Sequence, residues 1–344
     1  MPSHNSTIAL AACRITVFGF SLADFVSDGR RRDMNVVEIW SGVGAIVAAA
    51  AAQGLQAAPF DKYRTPGVTD TQNAESTEDI LSQVGFLRAV HLVTRLVEGG
   101  LLWLAPVCAS FVFMNASRCK RRESNGFRGD VGYQPVADGN LGADIAAFLF
   151  YLAFARGAQV VLENPSCSSI WRYPAVAALG HLPLHECLSS RCAWDSRPYG
   201  QRFLKQYKLI GTGAWIGKVR RSCKCPGKEH LSMVYHEPDG RVTGDKGALR
   251  QSAAYPSAMG KAIVKAWLSV SLSSVPVLRR SWLQTLESDE EGESEDHSTT
   301  RSSQQPSRPQ RAQSWANSPD RGACKSEPER AAPSSKRRKW LITD

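Results

Sequence analysis

Residues 36–52 read VVEIWSGVGAIVAAAAA, and the fold turns on how that stretch is parsed. The β-branched start has the length and composition of a buried strand, and the alanine-rich end is a strong helix former. Between them Ser41-Gly42-Val43-Gly44 breaks the run. Glycines allow a tight turn there, and the following helix directs its backbone N–H groups at whatever lies outside it. Working outward, residues 55–60 (LQAAPF) form a second short apolar run ending at Asp61. A helix is expected from about residue 76 to 97. Residues 101–111 (LLWLAPVCASF) then supply another strand that stops at Ala105-Pro106. A second helix is expected from about 141 to 155, followed by the strand 158–165, AQVVLENP. This β-α-β alternation implies an α/β domain with a mostly parallel central sheet flanked by helices.

In such sheets ligands bind outside the carboxyl ends of the strands. Three ends carry chemistry here. The strand at 101 delivers Cys108 into a loop, where it reads either as a nucleophile or as a small buried hydrophobe. The strand at 158 ends in Glu163-Asn164-Pro165. A partly desolvated Glu163 would hold a proton for a ring nitrogen, and its rival reading is an ion pair with a neighbour such as Arg172. The turn after residue 39 offers Glu38, Ser41, Gly42 and Gly44 as a nucleotide cradle. Asp61 is placed to accept bonds from ribose hydroxyls, or else is a solvated turn residue. The third glycine of the dinucleotide fingerprint is absent, so a plain strand-turn-helix stays open beside the cradle.

Together EIWSGVGA, APVCASF and LENP, in this order and spacing, resemble the DNA (cytosine-5) methyltransferase family. That resemblance implies a Rossmann-like fold binding S-adenosylmethionine. Cys108 would attack carbon 6 of a flipped cytosine, Glu163 would hold ring nitrogen 3, and carbon 5 would take the methyl group. It extends over roughly residues 35–268. Thr77-Glu78-Asp79-Ile80 resembles the acidic segment in which Asp79 touches the cofactor adenine, although Ser76 with Asp79 also has helix-capping spacing. Residues 197–211 (RPYGQRFLKQYKLIG) resemble the family's glutamine and arginine strand, with Lys205 and Lys208 near its cationic positions. Ala253-Ala254-Tyr255-Pro256 leads into a segment resembling the closing helix beside the cofactor. The chain departs from the family at Val107 and Pro165. Only some forty residues lie where a target-recognition region is expected, which makes this a divergent member with little room for base reading.

The 344 residues carry 42 Lys+Arg against 32 Asp+Glu. The last 68 hold 12 against 11, which leaves 30 against 21 before them. Arg118, Lys120, Arg121, Arg122 and Arg128 follow Cys108 directly. Cations there suit a polyanion, so the expected partner is nucleic acid, specifically DNA, contacted by Arg118, Lys120, Arg121, Arg122, Lys205 and Lys208. A solvated basic loop is the rival. Nine cysteines scattered over a long chain point to a reducing compartment. Cys223-Lys224-Cys225-Pro226 with His230, and Cys187 and Cys192 upstream, could supply zinc ligands. The paired C-x-x-C spacing is missing, so these read as buried or loop thiols and no metal is expected.

Residues 1–33 read as an N-terminal extension, interrupted by Arg14, Asp24 and Arg30 to Arg32, that fits neither a secretory signal nor a membrane span. A methyltransferase-like domain is expected over 34–270 and a disordered charged tail over 271–344. The tail's SKRRKW cluster, residues 335–340, makes the nucleus the expected location. Two other functions stay open. One is a catalytically reduced relative that binds cofactor or nucleic acid without turnover. The other is a Rossmann-type oxidoreductase, against which the incomplete glycine fingerprint counts.

Overall fold

A computed structural model describes residues 16–26, 29, 31–62, 78–226, 230–236, 238 and 242–271. The charged tail with its basic cluster, and Ser76 and Thr77, lie outside the described residues. Six strands form one sheet: β1 (Met34–Ile39), β2 (Ala57–Phe60), β3 (Leu96–Leu104), β4 (Gln159–Pro165), β5 (His185–Ser190) and β6 (Gln206–Gly211). Their spatial order is β2-β1-β3-β4-β6-β5. Strands β1 to β4 run parallel, and β6 is antiparallel to both β4 and β5. The chain leaves β1 on one side to make β2 and returns on the other to make β3, so the order reverses at β1. That reversal opens a crevice at the carboxyl ends. Because β6 runs the other way, its first residues arrive at the rim where β3 and β4 end.

Both faces are covered, which is why the central strands are apolar without alternation. On one face α2 (Gln83–Thr94) and α3 (Gln134–Ala155) pack over Val37, Ile39, Leu102, Leu104, Val160 and Leu162. On the other, α1 (Ala45–Ala51) and α5 (Ser257–Ser271), preceded by α4 (Lys246–Ala253), cover Val36, Leu101, Trp103, Val161, Tyr207 and Leu209. A separate two-stranded antiparallel sheet is formed by β7 (Val234–His236) and β8 (Val242–Gly244). Helix α3 is long and apolar enough to cross a membrane, but from Ile145 to Ala153 every residue is buried in the protein core. From the N-terminal extension, Val17 and Leu22 join that same core, and Arg156 donates to the carbonyls of Val26 and Thr94.

Both expected helices shift at their ends. Helix α2 begins at Gln83 because Ser82 caps it, its hydroxyl accepting from Gly85 N at 3.0 Å while its own N–H and hydroxyl bind the Asp79 carbonyl. It stops at Thr94, and β3 already starts at Leu96. Helix α3 begins seven residues earlier than its apolar run, with Pro135 in its first turn. Its polar start, Asp138-Gly139-Asn140, is helical because it packs on the loop after β3. A Cβ at Gly139 would come within 2.2 Å of Ser110 Oγ.

Candidate functional site

The glycine turn is built by left-handed backbone. Trp40, Gly42 and Gly44 have φ of 57°, 53° and 68°, and Gly44 N donates to Ser41 O at 2.8 Å. A β-carbon at Gly42 would meet nothing within 4 Å, so the outer side of the turn is open. Asp61, at the end of β2, accepts the Gly42 N–H at 2.9 Å. Lys62, next in sequence, forms a 2.9 Å ion pair with Asp79. Gly42 and Asp61 are thus joined directly, and Asp79 is linked to them through Lys62. Ser41 Oγ is buried there without a hydrogen-bond partner.

Glu38 contributes differently from a rim acid. It is wholly buried, and its Oε2 accepts Val47 N at 3.0 Å, so it anchors the start of α1 from beneath the turn. Burial pushes its carboxyl up to about 7 against the pull of the Val47 and Ile46 amides. Its part in any cradle is to set the loop, because it presents no surface to a ligand.

At the ends of β3 and β4 the thiol and the acid come close enough to act on each other electrostatically. Asn164 Nδ2 donates to Pro106 O at 2.8 Å, fastening the Cys108 loop to the end of β4. Phe111 N closes the turn onto Cys108 O at 2.8 Å. Cys108 is half-buried while Val107 beside it is 61% exposed, so the loop opens outward at this point. Glu163 is only 5% exposed. Tyr255 Oη donates to its Oε2 at 2.6 Å, and Trp103 Nε1 donates to Tyr255 Oη at 3.3 Å. Glu163 Oε1 is buried with no hydrogen-bond partner. Arg172, the proposed ion-pair rival, lies instead over the Phe127 ring at 4.3 Å.

Lys205, the residue before β6, acts on both groups electrostatically. Burial raises the Cys108 thiol; the Lys205 ammonium pulls it down, and the Glu163 carboxylate pushes it up. Burial likewise raises Glu163, opposed by Lys205 and by the Tyr255 hydrogen bond. One cation therefore acts on both groups, and protonating Glu163 removes a charge that suppresses the thiolate. The arrangement supports covalent attack coupled to proton delivery.

The remaining cations divide. Arg118 is exposed over the Tyr133 ring at 4.5 Å, Arg122 is exposed, and Lys120 is exposed but paired with Asp130 at 2.7 Å. Arg121 departs from the expectation of a phosphate contact. Its guanidinium donates to Ser110 O, Ser110 Oγ, Phe127 O and Asn140 Oδ1 at 2.7–2.8 Å and stacks 3.6 Å from the Phe111 ring centroid. Desolvation there depresses it to about 10. It is the internal brace of the loop. Lys208 also differs: alternation along β6 puts it on the face opposite Tyr207 and Leu209, where it pairs with Glu186 at 2.6 Å and lies over Trp171. Of Lys205 and Lys208, it is Lys205 whose charge acts on the thiol.

Tyr255, Trp103 and Asn164 were not singled out as site residues from the sequence. Tyr255 stands 92 positions from Glu163 and no local pattern links them. For Asn164 the hint was its place beside Glu163 at a strand end.

No family model matches the chain, and no curated protein does. Among solved structures it is similar to the S. pombe Dnmt2 methyltransferase, at 12% identity over 57% of each chain with a TM-score of 0.30. It is similar also to the Entamoeba histolytica methyltransferase EhMeth, at 11% identity over 58% of each chain with the same TM-score. The chain thus spans less than two thirds of the length of either structure.

Proposed function

We propose that the protein transfers a methyl group from S-adenosylmethionine to carbon 5 of cytosine in nucleic acid, with DNA as the substrate. The observation that carries this reading is Glu163. One of its oxygens is held by Tyr255, the other is buried without a partner, and the Cys108 thiol shares its electrostatic environment under Lys205. A base turned out of its stack could meet both groups at this rim.

The open turn at Gly42, the partnerless Ser41 hydroxyl and the linked acids Asp61 and Asp79 fit a cofactor with a ribose and an adenine. When bound, S-adenosylmethionine supplies a methyl group activated by a sulfonium centre. Cys108 Sγ, as thiolate, adds to ring carbon 6. Glu163, whose hold on a proton burial strengthens, gives that proton to ring nitrogen 3, and the electron pair moves to carbon 5, which would take the methyl group as the methyl's bond to the cofactor's sulfonium sulfur breaks and the neutral thioether leaves. Loss of the carbon 5 proton to water returns an electron pair that expels the thiolate, while nitrogen 3 returns its proton to Glu163. Tyr255 and Trp103 hold the carboxyl in place, and Asn164 holds the loop.

Arg118 and Arg122 would contact phosphates, and nuclear location follows from the basic C-terminal cluster as part of the same proposal. The test is trapping on 5-fluorocytosine, whose carbon 5 carries no removable proton. The wild-type chain should form a covalent adduct with DNA that a Cys108→Ser variant does not. Adducts confined to RNA would move the substrate. No adduct on any nucleic acid, with S-adenosylmethionine still bound in calorimetry, would favour a binding protein without turnover.

A further inference from the structure

A second thiol cluster lies away from the rim. Cys192 belongs to the turn Arg191–Trp194 after β5, Cys223 and Cys225 follow the turn Ala214–Val219, and His230 precedes Leu231. The sulfurs of the three cysteines and an imidazole nitrogen all lie within 4.8 Å of one another. Cys223 Sγ is 3.4 Å from His230 Nε2. We infer that Cys192, Cys223, Cys225 and His230 form a structural zinc site.

Bond lengths of about 2.3 Å to sulfur and 2.0 Å to nitrogen, at tetrahedral angles, place sulfur and nitrogen about 3.5 Å apart and two sulfurs about 3.8 Å apart. The 3.4 Å between Cys223 Sγ and His230 Nε2 agrees with the first value, and the 4.8 Å limit on every other pair accommodates the second. All three thiols are free, so the cluster is not a disulfide network. Cys192 is buried and the other three are half-buried, the closed setting of a structural ion. Three thiolates and an imidazole around a divalent ion carry one net negative charge. Arg202, Arg220, Arg221 and Lys224 line the adjoining cavity together with Cys192 and Cys225, which supplies the compensating charge. Thiolate and imidazole donors select zinc over the oxygen-seeking cations.

The ion would staple three stretches of chain where regular structure is thin. Ser190 N donates to Arg221 O at 2.7 Å, and Leu231 N to Arg202 O at 2.8 Å, so these segments already run alongside one another. Arg191, next to Cys192, donates its backbone N–H to Lys205 O at 2.8 Å and its side chain to Gln251 O and Ala254 O. Lys205 and the turn before Tyr255 are thereby tied to the cluster. This inference does not depend on the methyltransferase reading.

The full chain, purified under reducing conditions without chelator, should hold about one zinc ion per molecule by elemental analysis. Replacement by cobalt should give thiolate charge-transfer absorption and the intense visible bands of a tetrahedral centre. Cys223→Ser and Cys225→Ser should weaken zinc affinity on the order of 100-fold or more, whereas Cys167→Ser should retain it. The cobalt spectrum of the wild-type chain decides the matter even if a variant fails to fold. No bound metal together with no tetrahedral cobalt bands would overturn the site, as would equal loss of zinc in Cys167→Ser.

Discussion

Two places in this molecule gather cysteine with titratable partners, and they are built oppositely. At the rim the Cys108 thiol is acted on by one acid and one cation, with Val107 beside it exposed to solvent. In the cluster near β5, three thiols and an imidazole face one another with no carboxylate in the group among the described residues, and arginines line the space outside. A lone thiol whose ionisation is tuned by Glu163 and Lys205 suits bond making. A closed set of soft donors suits holding an ion in place. The partners, more than the cysteine itself, decide which chemistry is available.

The sharpest way to break this contrast is to exchange the lesions. Cys108→Ser should lower methyl transfer by at least about 10³-fold while leaving bound zinc unchanged. Cys225→Ser should remove the zinc while leaving the Cys108 loop's own bonds in place. A Cys108→Ser variant that lost metal, measured by elemental analysis beside turnover, would mean that the two thiol sites are one system.

Glu163→Gln comes next. It should lower turnover by about 10²- to 10⁴-fold by removing the proton delivered to the ring. It also removes a negative charge that raises the Cys108 thiol, so alkylation of Cys108 should begin at lower pH than in the wild type. Lys205→Met should shift the alkylation profile upward. Two profiles that coincide with the wild type would separate Glu163 and Lys205 from the thiol.

Glu38 offers an acid of the same sheet face that serves stability rather than chemistry. Its folded pKa of about 7 lies above the ordinary glutamate value of 4.5. Below the lower value both states hold the proton. As pH rises from there to about 7 the unfolded chain releases it first, and stability falls by about 3 kcal/mol. Glu38→Gln keeps an acceptor for Val47 N and should abolish that slope in denaturant titrations at pH 5 and pH 8. A slope that persists would place the loss elsewhere.

The smallest effects concern the basic loop. Replacing Arg118 and Arg122 by alanine should reduce the salt slope of nucleic-acid binding by about 2 with no change in stability. Arg121→Ala should instead cost about 2 kcal/mol of stability, because several buried acceptors lose their donor. Equal salt slopes in the two variants would erase the distinction between brace and contact.

Local pattern made much of this legible. The apolar run at 36–39 followed by Gly42 and Gly44 announced a strand and a turn, and the runs at 101–104 and 158–165 announced the strands whose ends hold Cys108 and Glu163. Those features depend on backbone preference and burial, which neighbouring residues largely determine. The start of α3 was hidden, since Asp138-Gly139-Asn140 reads as a loop until Ser110 and Arg121 are packed against it.

Local sequence set the order of the elements, the strand ends that carry Cys108 and Glu163, and the basic bias of the chain. Tertiary structure alone decided that Tyr255 holds Glu163, that Asn164 fastens the Cys108 loop, that Arg121 is spent internally, and that Cys192 meets Cys223, Cys225 and His230. The physical reason is range. Strand and helix periodicity is set within a few residues, whereas these contacts join positions dozens of residues apart and exist only once the packed sheet has brought their segments to the same place.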